Sequence, residues 1–282
     1  MPSRREFLIG GGALVLVGFG GAVEMGAHRR TSLLHRVGLA DSPDRSVPAS
    51  HTPLESGMLT SKFMSSPVKW TVSVPPGALA GVVYCLHGHG EDHRFAFDHI
   101  KLHDFAAAGH AKLAIAAVDG GPDSYWHRRA NGDDPRSMLL NEFIPLVESR
   151  VGAHPRALLG WSMGGYGALL AAETSATRFR AVCAASPALW TTAGATPEGA
   201  FDDADDYRRN DVFARASRLS SMTVRIDCGT GDPFYEAART FAREVHPSPQ
   251  GTFATGFHDD AYWRSVAPAQ IQTIKRAINA GE

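Results

Sequence analysis

The chain is poor in cysteine: Cys85, Cys183 and Cys228 are the only three in 282 residues. All three fall in apolar, strand-like runs, where a thiol behaves as a small buried hydrophobe. Their spacing matches neither a disulfide framework nor a metal-binding pair. An excess of one charge is missing as well. Lys and Arg number 28 against 29 Asp and Glu, a net charge of −1, which removes the electrostatic ground for nucleic acid or an anionic membrane surface as partner. No internal repeat occurs, and nothing in the sequence asks for a cofactor. What is there is ordinary globular composition, 44% apolar and 20% charged, enough for a sizeable core.

The one long uncharged apolar run lies over 7–23, laced with glycine and preceded by Ser3-Arg4-Arg5-Glu6. Paired arginines before a short, moderately hydrophobic stretch read as a twin-arginine export signal over 1–27. The alternative is an uncleaved membrane anchor, since the run is near the lower limit for a span. Gly20-Gly21-Ala22 is a candidate cleavage site, and no cysteine follows that would carry a lipid. The protein is therefore expected outside the cytoplasm, in the extracellular space or cell envelope. Residues 28–57 are polar, without periodicity, and read as a linker. The folded domain is expected over 58–282.

Within that domain, strand-like and helical stretches alternate. Residues 58–64 and 68–74 flank Ser65-Ser66-Pro67 and read as an antiparallel pair at a sheet edge. The short apolar runs 82–86, 113–118, 157–161, 181–185 and 223–228 suit central parallel strands buried on both faces. A weaker last strand is expected at 252–255. Helices are expected at 95–108, 137–151, 166–173, 212–217, 234–244 and 267–279. Such alternation means an α/β doubly wound, mostly parallel sheet. Segment 187–211 breaks the rhythm and reads as a cap over the end of the sheet where ligands bind. Its acidic run Asp202-Asp203-Ala204-Asp205-Asp206 reads as a solvated loop or, less simply, a calcium site.

The chemistry centres on Gly160-Trp161-Ser162-Met163-Gly164. The pattern G-x-S-x-G between a strand and a helix is a nucleophile elbow, in which the serine occupies a strained turn and glycines let strand and helix pass closely. A serine hydroxyl needs a base within reach and a carboxylate to orient that base. In such a sheet both follow the serine, on loops after the last strands. Asp232, just beyond the strand 223–228, is the candidate acid; it also suits a helix N-cap, and its rival Asp227 sits inside the strand. His258, in the loop after the last strand, is the candidate base, whereas His246 ends a helix before Pro247. The amide of Met163 is one oxyanion donor. The second is the amide of His89, which Gly88 and Gly90 leave free to approach a substrate. The same loop carries His87, His89 and His93, a rival reading as a metal site.

With these residues placed, the chain resembles the esterase D and feruloyl-esterase-like branch of the α/β-hydrolase superfamily, which also contains the mycolyltransferases of mycobacterial envelopes. The resemblance runs from about 58 to 280. It rests on L-H-G-H-G at 86–90, G-W-S-M-G-G-Y-G at 160–167, G-D-P-F at 231–234 and H-D-D-A-Y-W at 258–263. It implies the α/β-hydrolase fold, a triad at Ser162, Asp232 and His258, and oxyanion amides at His89 and Met163. It also implies that Tyr125 and Trp126 lie near the acyl or alcohol site. The mycolyltransferases have Asp-Gly where His87-Gly88 stands here, which brings this chain nearer the hydrolases. The sequence thus predicts an exported serine carboxylesterase, with a small-molecule or lipid ester as substrate. An envelope acyltransferase using a sugar hydroxyl, and a non-catalytic envelope binding protein, are the rivals.

Overall fold

The computed structural model describes residues 40–280; the expected export signal at 1–27 lies outside them. Eight strands form one sheet in the order β1-β2-β4-β3-β5-β6-β7-β8. They are β1 Leu54–Leu59, β2 Val68–Ser73, β3 Gly81–Leu86, β4 Leu113–Val118, β5 Arg156–Trp161, β6 Ala181–Ala185, β7 Thr223–Gly229 and β8 Phe253–Ala254. β2 runs antiparallel to both β1 and β4, and from β4 onward every pairing is parallel. This is the α/β-hydrolase fold.

β3, β4 and β6 carry no charged residue and are buried at every position because helices cover both faces, while β7 buries the ion pair of Arg225 with Asp227. Val82, Tyr84 and Leu86 of β3 enter one core and Val83 and Cys85 the other, as the two-residue period of a strand requires. The first core is closed by α5 (Met163–Thr174), whose residues are buried from Met163 through Glu173. The second is closed by α1 (Phe95–Asp98), α2 (Leu102–Ala108) and the long α8 (Asp260–Asn279). All three cysteines are buried and free.

Several elements differ from the sequence reading. β1 covers Leu54–Leu59 rather than 58–64. Its register sets Gly57 opposite Trp70, where a methyl group would stand 2.5 Å from the indole ring; the large ring needs a glycine across from it. Residues ahead of β1 are tied to the domain rather than free of it. Ser42 donates to Asp259, Asp44 pairs with Arg264, and the Ser50 amide donates to Asp104. The helix expected over 95–108 is split by Lys101, which takes a left-handed φ of 61°. The stretch expected as one helix over 137–151 is α3 (Pro135–Met138), a π-helical turn Leu139–Phe143, and α4 (Ile144–Val151). Pro145 has no N–H to continue the ladder, and the wide turn absorbs the break.

The acidic run is exposed from Asp202 to Asp205, as a solvated segment would be, but it runs into a helix, and no group of three candidate metal ligands is gathered there among the described residues. Asp203 caps α6 (Ala204–Arg209) through the Asp206 amide. Asp206 itself is buried, accepting from the Asn210 side chain at 2.9 Å and lying 3.5 Å from His127.

Candidate active site

All the parallel strands end on the same edge of the sheet, and the candidate residues stand on the loops that leave it. β5 ends at Trp161 opposite Ala185, and Ser162 follows with φ 54° and ψ −123°, a conformation that L-residues rarely adopt. Its backbone is pinned from both sides: the Ser162 amide donates to the Ala185 carbonyl at 3.0 Å, and the Ser162 carbonyl accepts from Ala188. The flanking glycines are obligatory. A methyl group on Gly160 would stand 2.1 Å from the Gly164 carbonyl oxygen.

Ser162 Oγ lies 2.8 Å from His258 Nε2, and His258 Nδ1 lies 2.8 Å from Asp232 Oδ2. Because Asp232 can only accept, the ring carries its proton on Nδ1 and turns the Nε2 lone pair to the serine. Asp232 does a second job: Oδ1 accepts from the Phe234 amide at 2.8 Å, closing the turn that leads into α7 (Tyr235–Glu244). The residue closes the turn ahead of the helix, whose N-cap is Phe234 rather than Asp232, and orients the imidazole. Burial alone would depress the His258 pKa, but the Asp232 charge and hydrogen bond outweigh it and hold the imidazole above its ordinary value. The ring is wedged edge-on between Phe234 and Trp263, each 5.3 Å away.

Beside the serine, Met163 opens α5, so its amide has no partner within the helix. Across from it the 87–90 loop leaves β3. Gly88 N–H donates to Glu91 and Gly90 N–H to the Pro122 carbonyl, at 2.7 Å each. The His89 amide between them makes no hydrogen bond among the described residues. His87 is spent on structure: Nδ1–H donates to the Gly88 carbonyl and Nε2 accepts from the Gly120 amide. Burial depresses its pKa and keeps it neutral. His93 is held by Asp119 at 2.8 Å. With its ring nitrogens committed, His87 has no lone pair for a metal, and no group of three candidate ligands is gathered among the described residues.

Tyr125 and Trp126 both have positive φ, 49° and 57°. Trp126 is a buried wedge under the loop, donating from Nε1 to the His87 carbonyl at 3.2 Å and packed against Gly120 and Gly167. It supports the site rather than lining it. Tyr125 meets Tyr166, Trp190 and Phe201 at 5.5 to 6.2 Å and stands 6.5 Å from the His89 ring. Trp190 in turn packs edge-on against Phe234 at 5.4 Å, so segment 187–211 brings aromatic rings up to His258. The sequence reading missed Trp190, Phe234 and Glu91. The two rings stand on the loops that leave β6 and β7 on the ligand edge, each five residues past the strand end, which was the available signal.

The sequence of residues 61–268 matches the Esterase family, described as "Putative esterase". No curated protein matches the chain in sequence. Among solved structures it is similar to a ferulic acid esterase, with 22% identity over 80% of this chain and 98% of the other, at a TM-score of 0.68. It is similar to an S-formylglutathione hydrolase from Agrobacterium tumefaciens, with 16% identity over 84% and 99% and a TM-score of 0.69. MPT51 (FbpC1) of Mycobacterium tuberculosis matches with 18% identity over 80% and 99% and a TM-score of 0.63. At these identities the structures share the fold, while the family match carries the activity: the chain belongs to the Esterase family and is an enzyme that acts on carboxylic esters.

Proposed function

We propose that this enzyme is an exported serine carboxylesterase that works through an acyl-enzyme on Ser162. The observation that carries the reading is the unbroken hydrogen-bonded chain from Ser162 through His258 to Asp232, 2.8 Å at each link. In the first half-reaction the Ser162 proton passes to His258 Nε2 as Oγ bonds to the ester carbonyl carbon. Asp232 steadies the imidazolium. Negative charge collects on the carbonyl oxygen, where the amides of His89 and Met163, without partners among the described residues, can donate to it. The C–O bond to the alcohol breaks as Nε2 returns the proton to the leaving oxygen. In the second half water, deprotonated by His258, attacks the acyl carbon and Ser162 leaves with that proton.

The aromatic wall of Tyr125, Trp190 and Phe234 favours an ester with an apolar or aromatic group. Export rests on Arg4 and Arg5 ahead of the apolar run; replacing both by Lys should leave the precursor in the cytoplasm on fractionation, and unchanged export would refute that part.

The test of mechanism is labelling of Ser162 by a fluorophosphonate, together with hydrolysis of short-chain p-nitrophenyl esters. Ser162→Ala should stay folded, lose labelling, and lose about four or more orders of magnitude in kcat. An unlabelled wild-type enzyme, or an active Ser162→Ala variant, would overturn the reading. Product analysis with a sugar alcohol present distinguishes hydrolysis from acyl transfer, since only transfer leaves a new sugar ester.

A further inference from the structure

Glu91 is a half-buried carboxylate that the catalytic cycle above does not use. It stands in the loop after β3, and its Oε2 accepts two hydrogen bonds. One comes from the Gly88 amide at 2.7 Å, the other from the Trp161 indole N–H at 2.5 Å. These donors belong to the two halves of the oxyanion site. Gly88 precedes His89, and Trp161 precedes Ser162 and Met163. The Glu91 amide returns to the Gly88 carbonyl at 3.3 Å, so residues 88–91 form a closed turn fastened by their own fourth side chain. On the other side of His89, the Gly90 amide is taken by the Pro122 carbonyl. With both neighbours fixed, the His89 amide is the one left over. Gly88 leaves the room this needs: a methyl group there would stand 3.0 Å from Glu91 Oε2.

We infer that Glu91 is a positioning residue for ester hydrolysis, its carboxylate tying the 87–91 loop to the strand that carries Ser162 so that the His89 and Met163 amides meet at one oxygen. The inference deepens the proposed function and rests on it. Oxyanion donors act at full strength only where charge develops, so loosening one of them lowers kcat and leaves ground-state binding nearly untouched.

Glu91 also acts on the base. Burial pushes its carboxyl up to about 7, against the pull of the Trp161 and Gly88 donors and of His258, with Asp260 adding to the rise. Reciprocally, a negative Glu91 adds to the effects that hold the His258 imidazole above its ordinary value. Removing the charge while keeping the shape therefore moves the acid limb of the pH profile, which follows neutral His258, toward lower pH.

The experiment compares kcat, KM and the pH dependence of kcat/KM for the wild-type enzyme, Glu91→Gln, Glu91→Ala and Trp161→Phe on a short-chain p-nitrophenyl ester. The expected result is that Glu91→Ala lowers kcat about tenfold or more with KM within about twofold, the cost of a misplaced donor. Trp161→Phe keeps an aromatic ring, loses the N–H donor to Glu91, and falls between Glu91→Ala and the wild type. Glu91→Gln retains an acceptor oxygen, rescues most of kcat at pH 8, and shifts the acid limb to lower pH. Wild-type kcat in Glu91→Ala, or a loss confined to KM, would overturn the inference. Should that variant not fold, wild-type kcat in Trp161→Phe together with an unmoved profile in Glu91→Gln overturns it instead. Failure of wild-type Ser162 to take a fluorophosphonate sinks the proposed function itself; labelling with silent Glu91 variants sinks only this inference.

Discussion

Gly164 passes beneath Leu86 so closely that a methyl group on it would stand 2.0 Å from the Leu86 carbonyl oxygen. The first turn of α5 is thereby laid directly against the end of β3, and the Met163 amide is brought beside the loop that bears His89. Backbone has no flexible end with which to yield. Gly164→Ala and Gly160→Ala should each cost on the order of 4 kcal/mol or more, as overpacking against main chain does. Urea denaturation measures it. Either variant folding with wild-type stability would mean that the elbow is looser than the contacts describe.

Asp232→Asn separates the two jobs of Asp232. An amide oxygen can still accept from Phe234, but the charge that raises the His258 pKa is gone. Only the neutral imidazole can take the serine proton, so in the wild type kcat/KM should fall as pH drops through a value above the ordinary imidazole range. In the variant that fall should move to lower pH, while kcat drops by about 10⁴ from loss of the oriented tautomer. Initial rates from pH 5 to 9 test both, and an unmoved acid limb contradicts the assignment of Asp232.

Glu173, at the end of α5, is buried with neither carboxylate oxygen hydrogen-bonded among the described residues, and burial pushes its pKa up to about 9. The folded state thus prefers the neutral acid, while the unfolded chain ionises near the ordinary glutamate value of 4.5. The stability tied to this group is complete below the unfolded pKa and is lost as pH rises toward the folded one, at about 1.4 kcal/mol per pH unit. Glu173→Gln removes that dependence. Urea unfolding at pH 5, 7 and 9 should show the variant gaining on the wild type as pH increases; parallel curves would contradict it.

Arg129 clamps the cap to the body of the enzyme. Its guanidinium reaches Asp202 at 3.0 Å, the Gly199 carbonyl at 2.8 Å and the Asp123 carbonyl at 3.0 Å. Arg129→Ala frees the 197–203 segment that carries Phe201, one of the rings packed on Tyr125 and Trp190. KM should rise several-fold with kcat largely kept, and limited proteolysis should cut near 194–203 faster than in the wild type. Unchanged cleavage and KM would show that the aromatic cluster alone holds the cap.

The central strands were legible because burial on both faces writes largely apolar runs, and the hydrogen-bonded cluster of Ser162, His258 and Asp232 because each member follows a strand end in a fixed order. β1 was misplaced because an edge strand carries a weak pattern, and its register is decided by one contact, Gly57 on the Trp70 ring. Asp206 looked like one of several solvated acids because its partners, Asn210 and His127, meet it only through the folded cap. Glu91 was invisible for a similar reason: its meaning lies in the indole of Trp161, which arrives from another strand.

Ser42 accepts from the Phe257 amide at 2.9 Å and donates to Asp259 at 2.8 Å, bracketing His258 from residues on either side of it. The imidazole therefore takes its place from a strand of chain that precedes the first β-strand altogether. An expression boundary drawn at Leu54, where the sheet begins, would yield the complete sheet without the hydrogen bonds that bracket His258. Recombinant versions of this enzyme should begin ahead of Ser42, so that its bonds to Phe257 and Asp259 are kept.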